Sequence, residues 1–290
     1  MIASTRYGAT SETLERTTVT TETKVEFEST EGMSDLCTKG LQNTLMACAD
    51  TKLMLGYHYG EWTFGPPELE AAVACCSLAQ TELGHVRLLH GILKKHFGDD
   101  PDVLLEQRAA NAFANIAFLD SAIGDWAGLV AANYVVDLAV TRLIHAMRGS
   151  AFKPVRMSVE KMLDEERYHV HHGQGWFRTI CNRNDAARDT MKQQVLAALG
   201  TVAVWFGPEG SDEDAALVDA GVKAKSNAAI YADLVSDIET TAQEVSIAID
   251  LTAPDHTDWD PTNRRTDAAG PDEDILYHLR GSKNAMFRLN

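Results

Sequence analysis

Positive charge is scarce in this chain. Its 290 residues hold 26 Lys and Arg against 42 Asp and Glu, a formal net charge of −16. No block of Lys and Arg occurs, which argues against a nucleic-acid surface, because phosphate binding needs a clustered cationic face. Proline is also scarce. Most of the eight prolines sit at the edges of segments, so long helices run without a breaker. The five cysteines, Cys37, Cys48, Cys75, Cys76 and Cys181, are odd in number and contain no C-x-x-C. That argues against a zinc site built from them; they read as reduced thiols of a cytoplasmic protein. The most apolar stretch, Ala127 to Val140, contains Asn133 and Asp137 and is expected to be too short for a membrane span. The first thirty residues have no apolar core of the kind that marks a secretory signal.

Hydrophobic residues make up 45% of the chain, enough for a sizeable core. Between about 34 and 250 the composition favours Ala, Leu, Glu, Lys and Gln, which are good helix formers. Residues 1–33 are rich in Thr, Ser and Glu and read as a flexible tail. Residues 251–290 read as a C-terminal tail of loops with one short helix. The intervening domain, 34–250, divides at its breakers. A first helix runs from an N-cap at Ser34 to Trp62 and ends at Gly65-Pro66-Pro67. The second runs from Glu68 to Phe97. A short helical segment covers 102–118. A third long helix spans Asp120 to Met147, a fourth Pro154 to Cys181, and further helices cover 184–206 and 225–250. Short turns pair the four long helices into two antiparallel hairpins.

An internal echo carries the chemistry. Glu82 and His85 lie three residues apart on the second helix, and Glu166 and His169 repeat the spacing on the fourth. An i, i+3 pair shares one helix face. Both faces are apolar: Cys75, Leu78 and Leu89 flank the first pair, and Val159, Met162 and Gly173 the second. An isolated charge would be unfavourable there unless a metal or a polar network engaged it. Two such motifs, with one carboxylate from each remaining helix, make the di-iron pattern of ferritin-like four-helix bundles. In an antiparallel hairpin, residues equidistant from the turn lie level. That places Asp137 opposite Glu166 about the turn at Gly149-Ser150, as a further ligand. The same operation from Glu82, about Pro66-Pro67, lands on Lys52 and Leu53. The expected carboxylate is missing, and Lys52 stands in its slot. Asp50 lies about 200° round the helix from that position and does not substitute. His58, His90, His145, His171 and His172 read as surface or packing residues. The fold expected is therefore an all-α, ferritin-like four-helix bundle with additional C-terminal helices.

At these residues the sequence resembles the phenylacetic-acid catabolic family, whose members are subunits of a multicomponent phenylacetyl-CoA 1,2-epoxidase. The similar segments are ADTKLMLG (49–56), GEWT (60–63), PELE (67–70), AQTELGHVRLL (79–89) and EERYHVHH (165–172), within roughly 34–206. They are most similar to the C-type subunit, the partner of a catalytic A-type subunit. Trp205-Phe206-Gly207-Pro208 and the acidic tail look more like the A-type. The resemblance implies a subunit of a di-iron oxygenase acting on an aromatic acyl-CoA in phenylacetate catabolism. Iron would be held by Glu82, His85, Asp137, Glu166 and His169, and electrons would come from a separate reductase. The C-type subunit is regarded as structural. A rival reading is thus a non-catalytic partner of a homologous catalytic subunit, in which Lys52 replaces a metal. A stand-alone ferritin-like oxidase is a third. A helical interface with a homologue or a second copy is expected, through the aromatics Tyr57, Tyr59, Trp62 and Phe64. Lys94 with Lys95, and Lys153 with Arg156, are two separate candidate cationic patches for an acyl-CoA.

Overall fold

The computed structural model describes residues 25–288. The expected tail lies largely outside the described residues; its last part, from Val25, is described. Four long helices form the bundle: α1 (Asp35–Glu61), α2 (Leu69–Phe97), α4 (Trp126–Ala146) and α5 (Lys153–Cys181). A short helix, α3 (Pro101–Glu106), lies between the two hairpins. Beyond them come α6 (Asp185–Phe206), α7 (Asp212–Asp219), α8 (Asn227–Glu244) and α9 (Glu273–Leu279). The described residues are all-α apart from two isolated bridges.

Local chemistry sets the ends. The Ser34 side chain accepts from the Cys37 N–H and starts α1, satisfying one of the donors a helix start leaves free. Asn184 caps α6 and Ser226 caps α8 in the same way. Gly98, at φ 81°, ends α2 in the left-handed region. The third long helix begins later than expected. Asp125 accepts from the Gly128 N–H and caps it, while Asp120 is drawn instead to Arg265. The expected helix over 102–118 breaks up after Glu106 because Asp50 takes both Arg108 and the Ala114 N–H.

α4 is 21 residues long and apolar enough, by length and composition, to cross a membrane; 89% of its apolar window is buried. The expectation that this stretch is too short is corrected. It is a central core helix, with Leu129, Val130, Val136, Val140, Leu143 and Ile144 all buried. Its middle, Ala132–Asp137, is wound as a π-helix, a local widening that often accompanies functional sites. α5 approaches this widened turn closely. A Cβ on Gly173 would lie 2.9 Å from Asn133 Oδ1 and 3.0 Å from Tyr134 Cα.

The C-terminal segment folds back over the bundle. Trp259 covers Gly207, where a Cβ would lie 2.5 Å from the ring, and its Nε1 donates to the Val204 carbonyl. Arg264 is buried over the Trp205 ring and donates to Thr44. Arg265, also buried, forks onto Asp120 at 2.5 and 2.8 Å. Removing one partner of a buried pair strands the other. Arg265→Ala is expected to lower stability by about 3 kcal/mol and to open residues 251–288 to limited proteolysis. Denaturant unfolding and trypsin digestion check both.

At the other end, Phe27 exchanges backbone hydrogen bonds with Ala151 and Lys153. The end of α2 and the start of α5 also meet there, His96 and Phe97 packing on Phe152. The two cationic patches treated as separate in the sequence thus lie at one end of the bundle. Lys153 and Arg156 are engaged by Glu28 and Glu26.

Candidate functional site

Four helices each send one polar group to the same buried point. Lys52 comes from α1, Glu82 from α2, Asp137 from the end of the π-helical turn of α4, and Glu166 from α5. All four are at most 1% exposed. Lys52 Nζ lies 2.6 Å from Glu166 Oε1, 2.9 Å from Glu82 Oε2 and 3.3 Å from Asp137 Oδ1. His169 joins from one turn beyond Glu166: its Nδ1 is 2.8 Å from Asp137 Oδ2 and 3.0 Å from Glu82 Oε1. Glu82, Asp137, Glu166 and His169 each present a ligand atom within 4.8 Å of the others.

His85, the fifth expected ligand, is buried but stands outside that group. Its Nε2 meets Glu165 Oε2 at 2.8 Å, and its Nδ1 lies 3.1 Å from Glu166 Oε1. Glu165 is partly exposed, so His85 links the cluster towards solvent.

Three supporting residues escaped the sequence reading. Tyr59, expected only as part of an aromatic cluster, is buried and donates to Asp137 Oδ2 at 3.1 Å. Thr141 donates to Glu166 Oε2 at 2.8 Å. Asn133 reaches Asp137 Oδ2 at 3.4 Å and meets His172 Nδ1 at 3.0 Å through its own carbonyl. The helical register carried a signal for each. Tyr59 stands seven residues after Lys52, a near-whole number of turns, while Thr141 and Asn133 flank Asp137 at plus and minus four. His172 supports Asp137 through Asn133. Burial pushes its imidazole down to about 4, so it is neutral and donates from Nδ1.

Burial alone would disfavour the Lys52 ammonium. Glu166, Glu82 and Asp137 outweigh it and hold Lys52 well above the ordinary lysine value. His169 is likewise opposed by burial, but Asp137 and Glu82 raise it to about 11. Asp137 is penalised by burial, yet Lys52 and His169 hold it well below the usual carboxylate range. Glu82 goes the other way: burial and then the Asp137 charge push it up to about 7. The geometry explains this asymmetry. Lys52 serves Glu82 Oε2, whereas Oε1 meets only His169 Nδ1 at 3.0 Å, which lies closer to Asp137 Oδ2 at 2.8 Å.

Two cations therefore face three carboxylates, one of them ready to protonate. The cluster is close to neutral by itself. A divalent metal draws its oxygen ligands to roughly 2.0–2.2 Å. Here an ammonium stands at the common centre of three carboxylates, and α1 supplies a cation where a two-iron site takes a carboxylate. The residues present do not fit a two-iron centre.

The titration has a consequence for stability. Glu82 is raised from 4.5 to about 7 on folding. Its folded value lies above its unfolded one, so its contribution is complete below pH 4.5 and lost as pH rises through about 7. Glu82→Gln, which keeps the shape and removes the proton equilibrium, is expected to flatten stability between these two pH values. Thermal unfolding of both proteins from pH 4.5 to 8 checks it; parallel curves would contradict the assignment.

An all-α bundle with E-x-x-H motifs facing each other across a buried carboxylate cluster is of the ferritin-like class. The family model described as phenylacetic acid catabolic protein matches residues 14–268, and the chain belongs to that family. It is similar to the C subunit of 1,2-phenylacetyl-CoA epoxidase from Escherichia coli (strain K12). The two are 26% identical over 174 residues, 60% of this chain and 69% of the relative.

Proposed function

We propose that this chain is a non-catalytic subunit of a multicomponent oxygenase acting on an aromatic acyl-CoA, and that a homologous partner carries the metal chemistry. The observation behind the reading is Lys52 Nζ at 2.6–3.3 Å from three carboxylates. It supplies internally the positive charge that metals supply in a catalytic homologue. The cluster then serves as a bolt that ties four helices at their centre. The similarity to the C subunit of an epoxidase supports the same reading.

The test is reconstitution. The purified chain, incubated anaerobically with Fe²⁺ and then given reductase, O₂ and phenylacetyl-CoA, is expected to form no oxygenated product. Adding the catalytic homologue is expected to start turnover, and omitting this chain to abolish it. Turnover by the iron-loaded chain alone would refute the reading.

Such a subunit needs a docking face. The aromatics expected there divide: Tyr59 is core, while Phe64 is 99% exposed. Leu69, Val73 and Leu83 are further exposed apolar side chains on α2. Exposed patches of this kind mark interaction sites. Phe64→Asp with Val73→Asp is expected to abolish co-purification with the catalytic homologue while leaving the helical circular-dichroism signal unchanged. Undiminished co-purification would place the interface elsewhere.

A further inference from the structure

The outward face of α2 differs from the rest of the surface. Val73, Ser77, Gln80, Gly84, Arg87 and Gly91 recur at three- and four-residue intervals, so they share one side of the helix. All six are exposed. The helix has 29 residues, a length of about 43 Å. Between Glu70 and Arg87 this face carries no charge, because Glu82 and His85 are turned inwards and buried. A neutral centre between charged ends is the composition of an interface core and its rim.

The two ends differ in sign. Glu68 and Glu70 stand at the amino end, and no Lys or Arg occurs between Lys52 and Arg87. Arg87, Lys94 and Lys95 stand towards the carboxyl end. Of these five, only Lys94 has an ion-pair partner among the described residues, Asp100 at 4.0 Å. The acids just beyond that end are engaged: Asp99 accepts from Gln42, and Asp100 accepts from the Asp102 N–H. On the flanking α5, Lys161 and Glu165 lie 3.9 Å apart and offset each other. The shape is polarised in the same way. Leu69 and Val73 project at the amino end. A Cβ on Gly84 or Gly91 would meet nothing within 4 Å, so the packing of this chain requires no glycine at either place. Glycine weakens a helix interior, and it lets another backbone come close.

We propose that α2 pairs with α2 of a second copy of this chain, antiparallel, about a two-fold axis near the middle of the helix. That arrangement sets Val73 of one copy level with Gly91 of the other, Gln80 with Gly84, and Glu70 with Lys94. Glu68 then reaches Lys95. A parallel pairing would oppose like charges at both ends. One self-complementary patch used twice is the isologous form of a dimer. The pairing shares Val73 with the face proposed for the catalytic homologue, so the two partners exclude each other.

Sedimentation equilibrium on the full chain, without the homologue, tests it. The natural chain is expected to dimerise at micromolar concentration in low salt, and less tightly in about 0.5 M salt. Glu68→Lys with Glu70→Lys gives both ends of the face one sign, and Lys94→Glu with Lys95→Glu gives both the other. Each double variant is expected to weaken dimerisation at least about tenfold, with an unchanged helical circular-dichroism signal. Mixed one to one, the two variants are expected to associate with each other about as tightly as the natural chain, because every end again meets its opposite. A natural chain that stays monomeric at about 100 μM would overturn the proposal. Undiminished dimerisation of both variants, or a mixture no more associated than the variants alone, would do the same. None of these outcomes touches the scaffold reading, which turnover tests.

Discussion

Lys52→Met is expected to lower the stability of the fold by about 3–5 kcal/mol near neutral pH, the range for breaking a buried pair from one side. The methionine fills much of the lysine's volume, so the loss is electrostatic. Glu82, Asp137 and Glu166 keep their burial and lose the ammonium that each of them contacts. The variant responds by taking up protons. Without the cation Glu82, already pushed up by burial and by the Asp137 charge, protonates more readily in the fold than in the unfolded chain, so its protonated form favours folding and the deficit shrinks as pH falls. Denaturant unfolding of both proteins at pH 5 and pH 8 reads this directly. A loss below about 1 kcal/mol, typical of an exposed ion pair, would mean that Lys52 is solvated and not the centre of the cluster.

Lys52→Glu is expected to turn the cluster into a metal site. The substitution places a fourth carboxylate on α1, level with Glu82, and completes the carboxylate set of a di-iron bundle. The natural chain is expected to take up fewer than two irons after anaerobic Fe²⁺ loading, and the variant more. Metal-free, the variant crowds four buried carboxylates and is expected to melt well below the natural protein. Fe²⁺ then raises its melting temperature and leaves that of the natural protein almost unmoved. At free metal about 100 times the dissociation constant, the linkage amounts to about 2.7 kcal/mol. Adding Glu166→Gln should cancel the gain, since Glu166 lies at the centre of the cluster. Two irons held tightly by the natural chain would remove the basis for treating Lys52 as the internal cation.

Counting along helices located the cluster without coordinates. Glu82 with His85 and Glu166 with His169 share faces by spacing alone. The turns at Pro66-Pro67 and Gly149-Ser150 then set Lys52 and Asp137 level with them, and all four helices meet at those residues. The same counting reached too far with His85. Spacing puts its side chain on the correct face, but which neighbour the ring turns to depends on what lies across the interface. Glu165, 80 positions away, takes its Nε2. The π-helical turn was not legible either. It changes the winding of α4 without a proline or glycine to mark it, and the close approach of Gly173 on another helix accompanies it.

By itself, then, the sequence determined the class of fold, the four long helices and the polar residues at their common level. These follow from periodicity, caps and breakers, which act over a few residues. Only the tertiary structure decided how the charges pair: Lys52 with three carboxylates on three other helices, Asp50 with Arg108, and Arg265 with Asp120 from 145 positions away. It also decided that the C-terminal segment straps the bundle. Partner choice among many like charges is a matter of distance and burial in three dimensions, and neither is encoded in the spacing of residues along one helix.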